Sequence, residues 1–411
     1  MKTERLFGNM TNIKVVMGAN FGDEGKGLMT DFFSHQATSK GEKCVVVLAN
    51  GGAQRGHTVT DAAGTQHVFH HFGSGTLAGA ETYCISDYIL NPMTFVKEYF
   101  ELRQLGHTPP AMYIENACRW STPFDMITNQ ILEAAREGKK HGSCGMGIWE
   151  TVLRYQRRPA TYTLAHFNML PQDKKIEYLK ELRDVYMQTR LLEEGVSGIP
   201  EEWYEIVYSD QLLVHFIDDV RFMIAHTIPA TQMPLNSFKN IVFENGQGLL
   251  LDQDLTFYGN NTTPSSTGSR NVVSAINKYF DKAADDVNVE MCYVTRTYMT
   301  RHGVGRFETE CKKSDINADM FDETNVTNKF QDNLRYGELI LPNLVARVNS
   351  DFTTARATLQ NTSHIHLTAN VAVTHTNEYQ IDYARLRDKL VSGIYTSDSR
   401  IRDSVKIFTE F

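Results

Sequence analysis

The chain has 411 residues, with 41 basic and 49 acidic side chains, and 41% of its residues are hydrophobic. This composition can fill a large core and excludes an intrinsically disordered protein, while the length allows one large α/β body or two or three domains. The formal net charge of −8 and the absence of Lys/Arg runs argue against a general nucleic-acid or acidic-membrane surface, because such surfaces must neutralise phosphates.

The N-terminal part of the chain predicts the opening of a parallel α/β sheet. Residues 13–17 form a buried strand candidate, 18–27 a glycine-rich loop, 28–36 a helix and 44–48 a second strand. Because parallel sheets bind their ligands at the carboxyl ends of the strands, we expect functional residues in the loops that follow them. Later apolar runs of the same kind, each followed by a glycine-rich or polar loop, are residues 111–114, 241–244 and 290–295.

A helical segment interrupts this pattern. Residues 173–227 carry charged and apolar residues at helical spacing, for example Ile176, Leu179, Leu182 and Tyr186. The segment lacks catalytic signatures, so we interpret it as a helical insertion.

The C-terminal third contains two apolar stretches, at residues 365–373 and around Ile394, and a helix candidate at residues 382–391. No repeat, low-complexity tract or Pro/Ser-rich linker separates the parts of the chain. We therefore predict a single α/β body over residues 1–411. It has a mainly parallel central sheet flanked by helices, together with the helical insertion and smaller excursions.

No apolar stretch approaches the roughly 20 residues that a bilayer crossing needs, and residues 1–12 lack the apolar segment of a signal peptide. We therefore expect a soluble cytoplasmic protein.

The six cysteines of the chain stand singly, which predicts reduced and mostly buried thiols. Cys144 lies in a glycine-rich loop, but no neighbouring base or cation would ionise it, so we do not expect a nucleophile there.

The sharpest motif is Gly-Asp-Glu-Gly-Lys-Gly at residues 22–27, between a strand and a helix, and it resembles a phosphate-binding loop. Its glycines let backbone N–H groups approach phosphate oxygens, the helix N-terminus adds positive potential, and Lys26 supplies a point charge. Asp23 and Glu24 would repel phosphate unless Mg²⁺ intervenes or one of them is a general base. A capped strand–turn–helix corner is the structural alternative.

Three further loops follow predicted strands. In residues 50–58, His57 lies among residues too small to bury it, which predicts an exposed acid or base with a pKa near neutrality. A structural histidine is the alternative. Residues 243–252 include Gly-Gln-Gly, in which the Gln247 amide can donate to and accept from a purine edge. Residues 300–305 combine a cation with small residues, as a phosphate or sugar contact would.

These motifs together resemble the adenylosuccinate synthetase family, which joins L-aspartate to the 6-position of IMP at the expense of a nucleoside triphosphate. The resemblance implies a cytoplasmic ligase of purine biosynthesis that works as a homodimer with shared active sites. The segments that carry it are GDEGKG at 22–27, the GG…GHT loop at 51–58, the glycine-rich segment 142–148, FExxQGxLLD at 243–252, NTT at 261–263 and TRxGxGxFxTE at 300–310.

By position, the resemblance implies Asp23 as the base that removes the purine N1 proton, His57 as the acid that stabilises the transferring phosphoryl group, and Lys26 as a cation for the donor phosphates. It also implies Mg²⁺ between the Asp23 carboxylate, the Gly56 carbonyl and the phosphates. The implied nucleotide-binding residues are Gly22, Glu24, Gly25, Gly27, Gln54, Cys144, Gln247, Thr263 and Asn377, with Arg157 or Arg158 as the arginine that crosses from the partner subunit.

Two departures from the family pattern bear on specificity. The family's Thr-Lys-x-Asp segment, which reads the guanine of GTP, is replaced by Thr-His-Thr-Asn, where Asn377 offers one carbonyl acceptor and Glu378 is out of register. This leaves ATP as well as GTP open as the donor. The family's arginine-rich aspartate loop is replaced by residues 327–337, in which Lys329 and Arg335 remain as the implied aspartate-binding cations.

These departures resemble the viral branch of the family, which aminates dGMP toward 2-aminoadenine nucleotides with ATP and would place the protein in the host cytoplasm. In that branch the catalytic aspartate is replaced, whereas Asp23 is retained here. We expect conversion of IMP to adenylosuccinate. The alternative acceptor is dGMP or GMP with ATP as the donor, giving N6-succino-2-amino(deoxy)adenylate, because hypoxanthine and guanine both carry N1–H and O6. A nucleotide-binding regulator without catalysis is the alternative of another class.

Overall fold

The computed structural model describes residues 10–136, 142–158, 161–259, 261–283, 285–320, 334–359, 362–386 and 391–408. None of the helices in these ranges has the length and apolar character needed to traverse a bilayer. The strands are β1 (Thr11–Gly18), β2 (Cys44–Leu48), β3 (His57–Thr60), β4 (Gln66–Phe69), β5 (Glu81–Cys84), β6 (Ile89–Leu90), β7 (Met112–Ile114), β8 (Arg119–Trp120), β9 (Ile228–Pro229), β10 (Asn240–Gly248), β11 (Val287–Arg296), β12 (Met299–Arg301), β13 (Glu310–Cys311), β14 (Arg335–Gly337), β15 (Ile365–Thr374), β16 (Val391–Thr396) and β17 (Lys406–Ile407). The helices are α1 (Lys26–Thr38), α2 (Pro92–Gln104), α3 (Pro123–Ala135), α4 (Ile148–Arg157), α5 (Leu164–Met169), α6 (Gln172–Glu181), α7 (Gln188–Glu193), α8 (Glu201–Val207), α9 (Asp210–Ala225), α10 (Arg270–Phe280), α11 (Lys313–Asn317) and α12 (Leu341–Leu359).

A ten-stranded sheet runs through the described part of the chain in the order β17-β16-β15-β11-β1-β10-β2-β5-β7-β9. Neighbouring strands pair in parallel, except β16 and β17, which are antiparallel. Small sheets formed by β12-β14-β13, β3-β4 and β6-β8 lie outside it. The predicted fold class, a mainly parallel central sheet with helices and smaller excursions, is confirmed.

The sheet is buried on both faces. Val15 and Met17 of β1 belong to one apolar core and Val16 belongs to the other, because successive strand residues point to opposite faces. Helices α1, α2 and α3 contribute to the core on the Val16 side, and α10 and α12 contribute to the opposite one. This burial explains why the central strands appear in the sequence as continuous apolar runs.

The helical segment begins earlier than residue 173. Helices α5 to α9 and a π-helical stretch at Leu182–Met187 follow one another between Leu164 and Ala225. Phe167, Leu179 and Phe216 belong to the same core cluster as α2 and α3. The segment therefore packs directly on the α/β body.

The prediction of a helix at residues 382–391 is wrong. Tyr383–Leu386 form a 3-10 turn, residues 387–390 lie outside the described ranges, and Val391 begins β16. Strand β16 pairs in parallel with β15 and buries Ile394. The branched residues in this stretch are better suited to a half-buried strand than to a helix.

The three arginines near the end of α4, Arg154, Arg157 and Arg158, do not all lie at the surface. Arg154 is fully buried, and its Nε and Nη2 donate to the two Asp125 carboxylate oxygens at 2.9 and 2.8 Å. Nη2 also donates to the Trp120 carbonyl at 2.7 Å. Asp125 in turn completes a capping box with Thr122 at the start of α3. Arg154 is therefore a structural residue that joins α3 to α4.

Replacing Arg154 by Ala should destabilise the protein strongly, because it leaves the buried Asp125 carboxylate without its cation. Removing one partner of a buried ion pair costs about 3–5 kcal/mol. The control is Arg157→Ala, since the Arg157 side chain is 42% exposed. Chemical denaturation of both variants measures the difference, and equal unfolding free energies would contradict a structural role for Arg154.

Candidate active site

A cleft of about 1440 Å³ lies at the carboxyl ends of β1, β2, β10, β11 and β15. Ligands of parallel sheets bind at this edge. The loops that form its walls are far apart in sequence and adjacent in the sheet. The structure brings these predicted site residues to the walls: Gly22, Asp23, Glu24, Gly25, Lys26, Gly27, Gln54, Gly56, His57, Cys144, Gln247, Thr263 and Asn377.

The loop between β1 and α1 passes twice through the left-handed conformation that favours glycine. Gly22 has a φ of 115°, and Gly25, which precedes the first turn of α1, has a φ of 92°. Lys26 is buried, and burial lowers the pKa of its ammonium group. It donates to the Gly22 carbonyl. Lys26 thus closes the loop while lining the cleft.

The Glu24 carboxylate turns into the protein. It is 2% exposed and accepts a hydrogen bond from the Asn20 backbone N–H at 2.6 Å, and burial raises its pKa to about 7. Arg347 donates to the Asn20 side chain beside it. An inward carboxylate of raised pKa repels phosphate much less than an exposed one. The contact of Glu24 with nucleotide stays a prediction.

The Asp23 carboxylate is accessible from the cleft, with 33% of its side chain exposed, and His302 Nε2 lies 3.2 Å from its Oδ2. Arg296, the last residue of β11, donates to the Asp23 carbonyl. Sequence reasoning did not assign a role to His302 or Arg296. The only signal for His302 was its place in the Thr-Arg-His-Gly segment after β12.

His57 is buried, so the prediction of an exposed side chain is wrong. It is 8% exposed, and its Nδ1 donates to Glu244 Oε1 of β10 at 2.6 Å. Burial lowers the pKa of His57 to about 4 despite the adjacent carboxylate. In this state the imidazole is neutral near pH 7, with its proton on Nδ1.

Glu244 is the centre of a buried polar cluster that includes His57, Arg55 and Ser74. Arg55 lies 3.1 Å from its Oε2, and Ser74 donates through both its backbone N–H and its hydroxyl. Burial alone would raise the pKa of Glu244, but Arg55 and His57 hold it at about 2. In the sequence, Glu244 appears only as part of the strand motif at residues 243–252. Its contacts with Arg55, His57 and Ser74 join segments that are far apart in the chain, and no local sequence pattern predicts them.

Two glutamine amides meet where β2 and β10 end. A Cβ built on Gly51 would lie 2.9 Å from Gln54 Nε2 and 3.3 Å from Gln247 Oε1. Within the described residues, Gln54 Nε2, Gln54 Oε1 and Gln247 Oε1 are buried without a hydrogen-bond partner. Gln247 also has a φ of 57°, unusual for a residue other than glycine. Buried amide groups that lack hydrogen-bond partners are suited to a ligand that supplies both donors and acceptors, as a purine edge does.

The Cys144 loop forms another part of the wall. Burial raises the pKa of the Cys144 thiol to about 11, so the thiol stays protonated at neutral pH. In the same loop, a Cβ on Gly142 would lie 3.1 Å from the Gly303 Cα. Gly142 and Gly303 both have positive φ values, of 75° and 69°. The two glycine loops therefore touch through their backbones.

Two arginines that the sequence did not single out also line this end of the cleft. Arg136 pairs with Glu133 at 2.8 Å and with Glu194 at 3.0 Å. Arg190 pairs with Glu150 at 2.8 Å and with Glu194 at 2.6 Å. Among the described residues, these two guanidinium groups are already paired with four carboxylates, because Arg190 also lies 3.8 Å from Glu193.

The described cleft wall does not include Arg157 and Arg158. Arg157 pairs with Glu193 at 2.5 Å and Arg158 with Glu181 at 2.6 Å, both on the helical segment. Their predicted contact with nucleotide phosphate therefore requires the cleft of a second chain.

Arg335 also lies away from the described cleft wall. Its Nη1 donates to the carbonyls of Gly303 and Gly305 at 3.2 and 2.8 Å, and its Nε and Nη2 donate to the Glu310 carboxylate. Arg335 thus holds the loop that carries His302. Lys329, the other predicted aspartate-binding residue, lies outside the described residues.

The turn after β15 forms the other end of the cleft. Asn377 lines it as predicted, and Glu378, which was expected to be out of register, also reaches the wall. His375 has a φ of 58°, and its carbonyl accepts a hydrogen bond from the Glu378 N–H at 3.0 Å. Thr374 donates to the Glu24 carbonyl at 2.9 Å, so this turn contacts the β1–α1 loop.

A family model described as adenylosuccinate synthetase matches residues 15–336 of the chain. The chain belongs to the adenylosuccinate synthetase family. The match includes the loops around Asp23, His57, Cys144 and Gln247. The match ends at residue 336, before the turn after β15. The residues that line that end of the cleft are therefore identified by the structure and not by the family model.

Curated relatives support the assignment. The adenylosuccinate synthetase of Microcystis aeruginosa is 30% identical over 307 residues, which cover 73% of this chain and 63% of the relative. The enzyme of Crocosphaera subtropica is 29% identical with the same coverage of 73% and 63%. The chain therefore aligns with just under two thirds of the length of these adenylosuccinate synthetases.

Two solved structures share the fold. A fully ligated adenylosuccinate synthetase from Plasmodium falciparum has a TM-score of 0.62 and 19% identity, over 88% of this chain and 76% of that chain. The succinoaminodeoxyadenylate synthetase of cyanophage S-2L, bound to dGMP and to dATP as an energy donor, has a TM-score of 0.56 and 14% identity, over 97% and 95%. At these identities the likeness shows the fold alone.

The Glu244 cluster predicts a defined pH dependence of stability in this adenylosuccinate synthetase homologue. The folded-state pKa of about 2 lies below the ordinary value of 4.5, so Glu244 contributes stability that is present above pH 4.5 and lost as the pH falls toward 2. Glu244→Gln should cost about 3–5 kcal/mol at pH 7, since it leaves Arg55 buried without its charge partner.

Denaturant unfolding of wild type and Glu244→Gln between pH 7 and 2 should show the difference shrinking in acid. Glu177→Gln is the matched control, because its carboxylate pairs with Lys174 at an exposed site. A constant difference at all pH values would mean that the Glu244 charge does not stabilise the fold.

Proposed function

We propose that this protein is a carbon–nitrogen ligase that joins L-aspartate to C6 of a 6-oxopurine nucleoside monophosphate and hydrolyses a nucleoside triphosphate. The observation that supports it is the convergence of Asp23, Lys26 and His57 with the Gln54 and Gln247 amides in one cleft of a family member. A site that only binds nucleotide has no need of a base and an acid together. The enzyme would act in cytoplasmic purine nucleotide biosynthesis.

In the proposed reaction Asp23 accepts the N1 proton of the purine while O6 attacks the γ-phosphorus, and the nucleoside diphosphate leaves. The 6-phosphoryl group converts a poor oxygen leaving group into phosphate. The aspartate amine then attacks C6, phosphate leaves as the C6–O bond breaks, and the amine proton is released. Lys26 supplies positive charge beside the donor phosphates.

His57 would gain its catalytic proton when the donor binds. Its neutral ring already has Nδ1 fixed by Glu244, which orients the imidazole and stabilises its cation. The negative charge of the phosphates favours protonation of the second ring nitrogen. His57 can then donate to the phosphoryl group as its charge develops in the transition state.

Mg²⁺ suits the proposed site. Asp23 supplies a carboxylate and Gly56 a carbonyl on the same cleft wall, and both are oxygen ligands of the kind that Mg²⁺ prefers. Among the described residues, no group of three or more His, Cys, Asp or Glu side chains could hold a metal. An ion that takes its remaining ligands from phosphates and water fits this sparse set, and when bound it neutralises phosphate charge.

The acceptor can be IMP, GMP or dGMP, because all three present N1–H and O6 to Asp23. We propose ATP as a donor at least as good as GTP, since Asn377 has one carbonyl in place of a carboxylate. Lys329 and Arg335 are the proposed ligands of the substrate aspartate. For Arg335 this means that a substrate carboxylate replaces that of Glu310.

The test is to incubate the protein with aspartate, Mg²⁺, each of IMP, GMP and dGMP, and each of ATP and GTP. We expect a succinylated nucleotide by mass spectrometry with at least one acceptor, and ATP turnover at least equal to that of GTP. Absence of product with every combination would overturn the proposed ligase and favour a nucleotide-binding regulator.

Asp23→Asn should lower product formation by about 10² to 10⁴ while leaving nucleotide affinity nearly unchanged, because the amide keeps the shape of the side chain and loses the base. Turnover and calorimetric binding measure the two effects. The matched control is Asp218→Asn, on the exposed face of α9. Full turnover by Asp23→Asn would remove Asp23 from the mechanism.

We further propose a homodimer in which each site takes an arginine from the partner. The acceptor phosphate needs a cation, but Arg136 and Arg190 are outnumbered by glutamates in their own cleft. Arg157 and Arg158 lie on the outer end of α4, with 42% and 27% of their side chains exposed, from where they can reach another chain.

Mixing Asp23→Asn chains with Arg157→Ala/Arg158→Ala chains should restore partial activity, because one site of each mixed dimer then contains neither defect. The control mixes Asp23→Asn with His57→Asn, which leaves every site defective. If subunit exchange is demonstrated and the first mixture stays as inactive as the control, the sites are not shared.

A further inference from the structure

A buried hydroxyl joins the β1–α1 loop to the far end of the cleft. Tyr298 is 2% exposed, Arg296 Nη1 donates to its hydroxyl at 3.0 Å, and the hydroxyl lies 2.5 Å from Glu378 Oε2. Through its Nε, Arg296 also holds the Asp23 carbonyl. The Tyr298 hydroxyl is thus placed between a guanidinium donor and a carboxylate acceptor.

This arrangement fixes the direction of the hydroxyl hydrogen. Burial raises the pKa of Tyr298, so the phenol keeps its proton at neutral pH. The guanidinium of Arg296 can only donate, and therefore the oxygen of Tyr298 accepts from it. The single O–H of Tyr298 is left to donate to Glu378, which makes a charge-assisted hydrogen bond.

Glu378 lines the end of the cleft that the proposed function assigns to the donor base. Its backbone is held on both sides, since its N–H donates to His375 and its carbonyl accepts from Asn317 Nδ2 at 2.9 Å. Glu378 lines the cleft, whereas Tyr298 is almost fully buried. The hydroxyl therefore approaches the carboxylate from the protein side.

A carboxylate recognises guanine by accepting N1–H and the 2-amino N–H with its two oxygens. Adenine presents one N–H donor on the corresponding edge, its 6-amino group, and needs only one oxygen. In this protein Oε2 of Glu378 is already engaged by Tyr298. A guanine edge would have to share Oε2 with the Tyr298 hydroxyl, whose hydrogen bond makes that oxygen a weaker acceptor, but an adenine amino group can use Oε1 alone.

We propose that Tyr298 is a specificity-determining residue that weakens one oxygen of Glu378 as an acceptor for the donor base and thereby directs the enzyme to ATP. This inference rests on the proposed function, because it takes this end of the cleft as the donor site. It assigns the choice of donor to a residue that does not itself contact the base.

The test is Tyr298→Phe, which keeps the ring and removes the hydroxyl. The ratio of kcat/KM for GTP to kcat/KM for ATP should rise about tenfold, because Oε2 of Glu378 no longer accepts from Tyr298 and becomes a stronger acceptor for guanine. In a Glu378→Ala background the same substitution should leave the ratio unchanged. An unchanged ratio in the single variant, or an equal rise in the double variant, would overturn the proposal.

Glu378→Ala alone provides a test that does not depend on the folding of Tyr298→Phe. The proposal expects it to lower kcat/KM for ATP more than for GTP, since adenine uses the remaining oxygen. A larger loss with GTP would show that Glu378 already reads guanine and would refute the role of Tyr298.

Direct binding separates this inference from the proposed ligase activity. The affinities of ATP and GTP for wild type and Tyr298→Phe can be measured by calorimetry without acceptor or aspartate. A shift of the affinity ratio toward GTP supports the role of Tyr298 even if no succinylated product forms. Equal ratios in the two proteins contradict it even if the ligase is fully active.

Discussion

The buried carboxylate of Glu244 is the interaction on which the cleft depends. It binds Arg55 and His57 from the segment after β2 and Ser74 from the segment after β4, and it ties them to β10, next to the strand that leads into the phosphate loop. Burying an ionised carboxylate without these partners would cost a large free energy. The same contacts that permit its burial also orient the imidazole that faces the donor phosphates in the proposed mechanism.

The sequence predicted the parts of the fold that are encoded locally. Central strands such as Cys44–Leu48 are continuous apolar runs because both of their faces are buried, and the loop at Gly22 and Gly25 is marked by glycines that its backbone requires. Placing these loops at one edge then follows from the parallel sheet. Most of the predicted residues therefore came together on one cleft wall.

What the sequence could not predict are side-chain pairs between distant segments. The burial of His57 by Glu244 reversed the expected exposure, because small neighbours in sequence say nothing about an adjacent strand. The burial of Arg154 likewise depends on Asp125, which lies on another helix, and no pattern local to α4 predicts this pair. The stretch at Val391 was misread as a helix because strand pairing, which decides it, is not a local property.

The contact between Gly142 and Gly303 has an evolutionary consequence. A Cβ on Gly142 would lie 3.1 Å from the Gly303 Cα, and the positive φ values of both glycines disfavour a side chain at either position. The two positions are therefore constrained together although they lie in different motifs. A lineage that acquires a side chain at residue 142 keeps this wall only if the loop at Gly303 shifts as well. Divergence of this wall among relatives should therefore proceed in coupled steps, with both loops changing together.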